Sequence, residues 1–141
     1  MNLYQIVTAL KDIALTHPNI RTSKDGNVYD IMNTNPSTKY GVFVVSQTTH
    51  RQTEQFDYYG FNLFYIDRLV DNLETNRLQI QSIGKQMLGN IIATFCEDYD
   101  VDFPQTVRYT PFTQKFKDET AGQYATLEFE IPRDIICAEE Y

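Results

Sequence analysis

Apolar positions along this chain follow two periods in turn, and the switches between them lay out the elements. Leu3, Ile6, Val7, Leu10, Ile13 and Ala14 recur at helical spacing, which predicts a first helix from Asn2 to Thr16. Asn2 with Gln5 has the form of a capping box, and Pro18 stops the helix. Its stripe is of moderate width, as on a helix lying across one sheet face. From Asn19 to Thr38 the pattern is weak. Asp25-Gly26 marks a turn between Ile20-Arg21-Thr22 and Val28-Tyr29-Asp30-Ile31, so a short, poorly covered hairpin or loop is expected there. Asn33, Asn35, Pro36 and Ser37 form a second turn cluster.

Two strands come next. Tyr40 to Thr49 carries Val42, Phe43, Val44 and Val45, apolar on both faces, which predicts a central strand covered on both sides. In Phe56 to Arg68 the residues Phe56, Tyr58, Gly60, Asn62, Phe64 and Ile66 alternate with Asp57, Tyr59, Phe61, Leu63 and Tyr65. The polar stretch Thr48 to Gln55 between them contains no Gly or Pro, which argues against a tight turn and for an extended hairpin arm. Glu74 to Tyr99 reads as a long helix, with Ile80, Ile83, Met87, Ile91 and Phe95 in one line and Leu88 and Ile92 widening it. Gly84 and Gly89 lie inside it, each costing about 1 kcal/mol against Ala, and small residues there permit close approach to the sheet or another helix. Two further strands, Val107 to Lys117 and Gln123 to Ile131, are joined by the loop Asp118 to Gly122. In the last strand Ala125, Leu127, Phe129 and Ile131 face one way and Tyr124, Thr126, Glu128 and Glu130 the other. Pro132 ends it, and the C-terminal segment carries Ile135, Ile136 and Cys137 among acidic residues, an apolar triplet that needs cover.

The expected fold is therefore α+β: a four-stranded, mainly antiparallel sheet with two helices packed on one face, in the order helix-strand-strand-helix-strand-strand. A length of 141 residues without repeat or linker makes residues 1–141 a single domain. Ten Tyr and nine Phe suit half-buried strand positions, where the ring packs and the hydroxyl reaches outward.

Charge narrows the function classes. A net charge of −7 argues against gripping phosphates, while leaving DNA free to pass without being held. Tyr58, Tyr59, Phe61, Phe64 and Tyr65 crowd one strand, but a stacking platform needs a positive groove, and that strand has Asp57 and Asp67 against Arg68 alone. Cys96 and Cys137 lack metal spacing and are too few for a disulfide framework, so buried free thiols in a reducing interior are expected. No secretory signal pattern and no run of membrane-spanning length is present. The usual hydrolase, nucleotide-binding, zinc and redox motifs are missing, so no enzyme, no cofactor and no metal is expected. His17 reads as a helix-end residue, and His50 stands beside Arg51 with nothing to complete an acid–base site. Asp98, Asp100 and Asp102 have the alternate spacing of a calcium loop's opening, but Phe103 replaces the required Gly and no closing Glu follows; a solvated helix exit is the expectation. Asp57 and Asp67 lack the lysine motif and basic surface of a metal-dependent nuclease.

Layout supplies a more specific lead. His17-Pro18-Asn19-Ile20, Gly26-Asn27-Val28-Tyr29-Asp30, Tyr40 to Gln47 and Phe61 to Leu69 running into the long helix make the chain resemble the tail-terminator or tail-completion proteins at the head–tail junction of tailed bacteriophages. The resemblance covers most of the chain and rests on layout, with no catalytic motif. It implies a virion protein, assembled in the host cytoplasm, forming a homo-oligomeric ring, commonly of six copies. Such a ring docks on tail-tube or neck proteins and lets DNA through its channel. Family members dock through loops or hairpins, which points to His50, Arg51 and Gln52 on the arm, Gln114, Phe116 and Asp118 on the Thr113–Gly122 hairpin, and Ile135 and Ile136 in the C-terminal segment. The alternative is a non-virion protein-binding adaptor or a small-ligand-binding α+β module.

Overall fold

In the computed structural model the described residues are 1–34, 39–69, 74–116 and 118–133. The element order is α1 (Leu3–Leu15), β1 (Thr22–Asp25), α2 (Val28–Thr34), β2 (Val42–Gln52), β3 (Phe56–Arg68), α3 (Glu74–Asp98), β4 (Arg108–Lys115) and β5 (Glu119–Pro132). The α+β class holds. The sheet has five strands in the order β1-β2-β3-β5-β4, with β1 parallel to β2 and every other pair antiparallel.

The extra strand and helix lie between residues 19 and 34, and β5 begins at Glu119, inside the stretch Asp118 to Gly122 expected as a loop, because Glu119 to Gly122 continue the pairing with β4. Thr22–Asp25 pairs with Val42–Val45 as a parallel edge strand, where a short hairpin or loop was expected. Val28 to Ile31, the far side of that expected hairpin or loop, begins α2. Asn27 caps that helix: its side-chain oxygen accepts from the N–H groups of Tyr29 (2.9 Å) and Asp30 (3.2 Å), and its carbonyl accepts from Ile31. A strand cannot pair on both sides of such a cap, so the chain leaves β1, turns at Gly26 and crosses over the sheet. Asn33 belongs to α2, while Asn35, Pro36 and Ser37 of the expected turn lie outside the described residues.

α1 carries the expected capping box: Gln5 N–H donates to Asn2 Oδ1 at 2.9 Å, and Asn2 N–H donates to Gln5 Oε1 at 2.8 Å. α1 and α3 cover one sheet face. Ile6, Leu10, Ile91, Ile92 and Phe95 pack there on Phe43, Val45, Phe61, Leu63, Leu127 and Phe129. α2 covers part of the opposite face, with Val28 and Met32 on Val42, Val44 and Ile66. The helices thus lie on both faces, a correction to the one-face layout, and Val42 to Val45 are buried on both sides as their sequence requires. Along α3 the line departs from expectation at one turn: Ile83 is 41% exposed and Gly84 faces the sheet instead. A Cβ on Gly84 would come within 2.9 Å of the Tyr65 ring and 3.3 Å of Gln123, so the glycine lets the helix lie close to the strands. No helix among the described residues is long and apolar enough to cross a membrane.

Candidate functional site

α2 reaches only one end of its sheet face. At the other end β2, β3 and β5 continue alone: β1 pairs no further than Val45 and β4 no further than Thr126, whereas β2 runs to Gln52 and β5 to Pro132. This is the extended arm expected from the polar stretch. Its connection, however, is tight: only residues 53–55 separate the strands. With neither Gly nor Pro available, Thr53 closes the turn. Thr53 N–H donates to the Phe56 carbonyl at 2.9 Å, and Phe56 N–H donates to Thr53 Oγ1 at 3.2 Å. A register shift between Gln47 and His50 bends the arm on its way.

The pleat arranges a row of polar groups across the bare face. Arg51 stands opposite Tyr58, and Tyr58 opposite Glu130. The Arg51 guanidinium lies 3.7 Å over the Tyr58 ring. It also donates to Glu128 Oε1 from Nη2 at 2.9 Å, with Nε at 3.3 Å from both carboxylate oxygens. Those bonds to Glu128 push the Arg51 pKa above its ordinary value. Because the pair is exposed, it orients side chains more than it stabilises the fold. Tyr58 Oη lies 3.4 Å from Glu130 Oε1. The segment from Asp102 to Thr106 forms the far wall of a cleft of about 510 Å³ over this row, with Phe103 53% exposed.

The predicted site residues divide between the two ends of the sheet. His50, Arg51 and Gln52 lie on the exposed arm, His50 edge-on to Tyr59 with ring centres 5.2 Å apart. Gln52, with its amide oxygen turned toward Arg133, accepts from that guanidinium at 2.9 and 3.0 Å. Arg133 N–H in turn donates to the Gln55 carbonyl, so the end of β5 is tied to the arm. Gln114, Phe116 and Asp118 sit at the opposite end, and the chain itself engages all three. The Gln114 carbonyl accepts from Thr120 Oγ1 at 2.8 Å, Phe116 meets Tyr29 edge-on, and Asp118 accepts from Tyr40 Oη at 2.7 Å. Burial, then the bond to Asp118, pushes the Tyr40 hydroxyl up to about 12. The structure therefore brings the arm residues together with one another but not with the hairpin residues. Ile135 and Ile136 lie outside the described residues.

Tyr58, Phe103, Glu128 and Glu130 were not among the expected site residues. The alternation of the last strand sets Glu128 and Glu130 on the face opposite Leu127 and Phe129, but it does not contain the strand order, which puts them two strands from Arg51. Asp100 has φ 54° and turns the chain out of α3, while Val101 N–H donates to the Cys96 carbonyl. The Asp98–Asp102 run is thus a helix exit, and among the described residues no three His, Cys, Asp or Glu side chains come together as a metal-holding group.

Fold and site together define an α+β sheet protein with one polar, uncovered sheet end. Compared with known proteins, the chain matches no family model and no curated protein.

Proposed function

We propose that this chain is a structural virion protein of a tailed phage, a tail terminator or neck component whose copies close into a ring around a DNA channel. The observation that carries this reading is the bare three-stranded end. β2 presents an open edge from Ser46 to Gln52 and β5 another from Leu127 to Pro132, on opposite sides of the same sheet. Among the described residues no backbone hydrogen bond closes either edge outward. Two different edges joined head to tail make a heterologous contact, which closes as a ring or runs on as a filament. The short arm turn and polar side chains keep those edges soluble until a matching copy or virion partner meets them. The net charge of −7 supports a channel past which a polyanion slides without sticking.

The test is the mass of the purified chain by sedimentation velocity, with negative-stain imaging alone and mixed with its candidate tail-tube protein. A closed oligomer, or rings formed on the tube protein, is expected. A chain that stays monomeric in both, at every concentration reached, would favour the non-virion adaptor instead.

A further inference from the structure

We propose that the cleft over the bare sheet face docks an arginine or lysine side chain carried by a basic segment of a protein partner. This does not depend on the ring reading, because the cleft lies within one copy. Its lining carries three carboxylates, from Asp102, Glu128 and Glu130, against the single guanidinium of Arg51. Glu128 is already matched by Arg51 at 2.9 Å. Glu130 takes a hydrogen bond from the phenol of Tyr58 at 3.4 Å and feels Arg51 at longer range, and neither it nor Asp102 makes a salt bridge among the described residues. The cleft therefore holds unneutralised negative charge, and its complement is a cation.

Geometry narrows the kind of cation. Arg51 displays the local chemistry: a planar guanidinium flat on an aromatic ring with a carboxylate at its edge. Phe103, half-exposed on the opposite wall, offers a second ring beside the unmatched carboxylates. At about 510 Å³ the space lies within the ~300–1,000 Å³ usual for binding pockets, and it opens on the end of the sheet face that α2 does not reach. A hydrated metal ion would make no use of a ring, whereas an arginine or lysine side chain uses the Phe103 ring together with the acids.

The experiment is an NMR titration of the isotope-labelled full-length chain with acetylated tri-arginine amide, with a tri-glutamate peptide as control. Expected are saturable shifts confined to Tyr58, Asp102–Thr106, Glu128 and Glu130, and none with tri-glutamate. Binding should weaken about tenfold in the Asp102→Asn/Glu130→Gln double variant and fall further with Phe103→Ala. An Asp12→Asn/Glu97→Gln variant, which removes equal charge from the helical side, should stay within about twofold. Thermal unfolding of each variant establishes that it is folded. Equal weakening in both double variants would reduce the effect to diffuse attraction and overturn the proposal. So would the absence of saturable shifts in the full-length chain. The same resonances moving with protein concentration alone would make a second copy the occupant, which also overturns it.

Discussion

Gly122 lies in β5 between Ile66 of β3 and Phe112 of β4. A Cβ there would collide with the Tyr65 carbonyl oxygen and approach Phe112 Cζ to 2.9 Å. Since the first obstacle is backbone, relief requires the strands to separate. Gly122→Ala should therefore destabilise the domain by about 1–3 kcal/mol in denaturant unfolding; an unchanged midpoint would mean that the sheet yields easily there. Cys96 gives a second prediction at this scale. Burial, with nearby Asp102 adding to it, pushes its thiol up to about 11 from 9.0. At pH 8 the thiolate fraction falls about a hundredfold. In a Cys137→Ser background, an aromatic disulfide reagent should react with Cys96 about a hundredfold more slowly than with free cysteine, and faster as pH approaches 11. Single residues were legible where burial follows from local pattern: Ile91 and Leu127 are buried as expected. Ile83 was not, because whether Ile83 or Gly84 faces the strands depends on how closely the helix approaches them, which periodicity does not contain.

Elements were legible where pattern and capping agreed. α1 with its capping box, β3 from Phe56 to Arg68 and the start of α3 all stand where the periodicity put them. α2 is not legible in the pattern because Val28, Tyr29 and Ile31 have strand composition and the turn signal at Asp25-Gly26 suggests a hairpin or loop. The signal was present in Asn27 as an N-cap, but tertiary cover decided the outcome: Met32, 1% exposed, completes the second core over Val42, Val44 and Ile66. Met32→Ala should cost about 2–5 kcal/mol in denaturant unfolding. A negligible cost would show that α2 contributes little to the fold. The tie between Tyr40 and Asp118, which joins the chain just before β2 to the β4–β5 turn, adds a pH dependence. The Tyr40 hydroxyl is held at about 12 in the folded protein against an ordinary 10.0, so its contribution is fully present below pH 10 and lost as pH rises toward 12. Tyr40→Phe should lower the thermal midpoint at neutral pH and shrink its fall across that window. An equal fall in both proteins would assign the alkaline loss to other groups.

At the scale of the whole molecule, the order β1-β2-β3-β5-β4 was the least legible feature, since register between distant strands follows from three-dimensional packing rather than local pattern. That order leaves two open edges at one end and sets Glu128 beside Arg51. It also bears on how copies would meet. Each copy carries a net charge of −7, so bringing copies together costs like-charge repulsion, which added salt screens. Strand-edge hydrogen bonds and apolar contacts lose little to salt, whereas an interface held by complementary charges weakens with it. If the proposed ring forms through the β2 and β5 edges, raising sodium chloride from about 20 to 500 mM, which shortens the screening length severalfold, should shift sedimentation profiles toward the closed oligomer. The opposite shift would mean that ion pairs dominate the contact, and the edge-to-edge assembly would have to be given up.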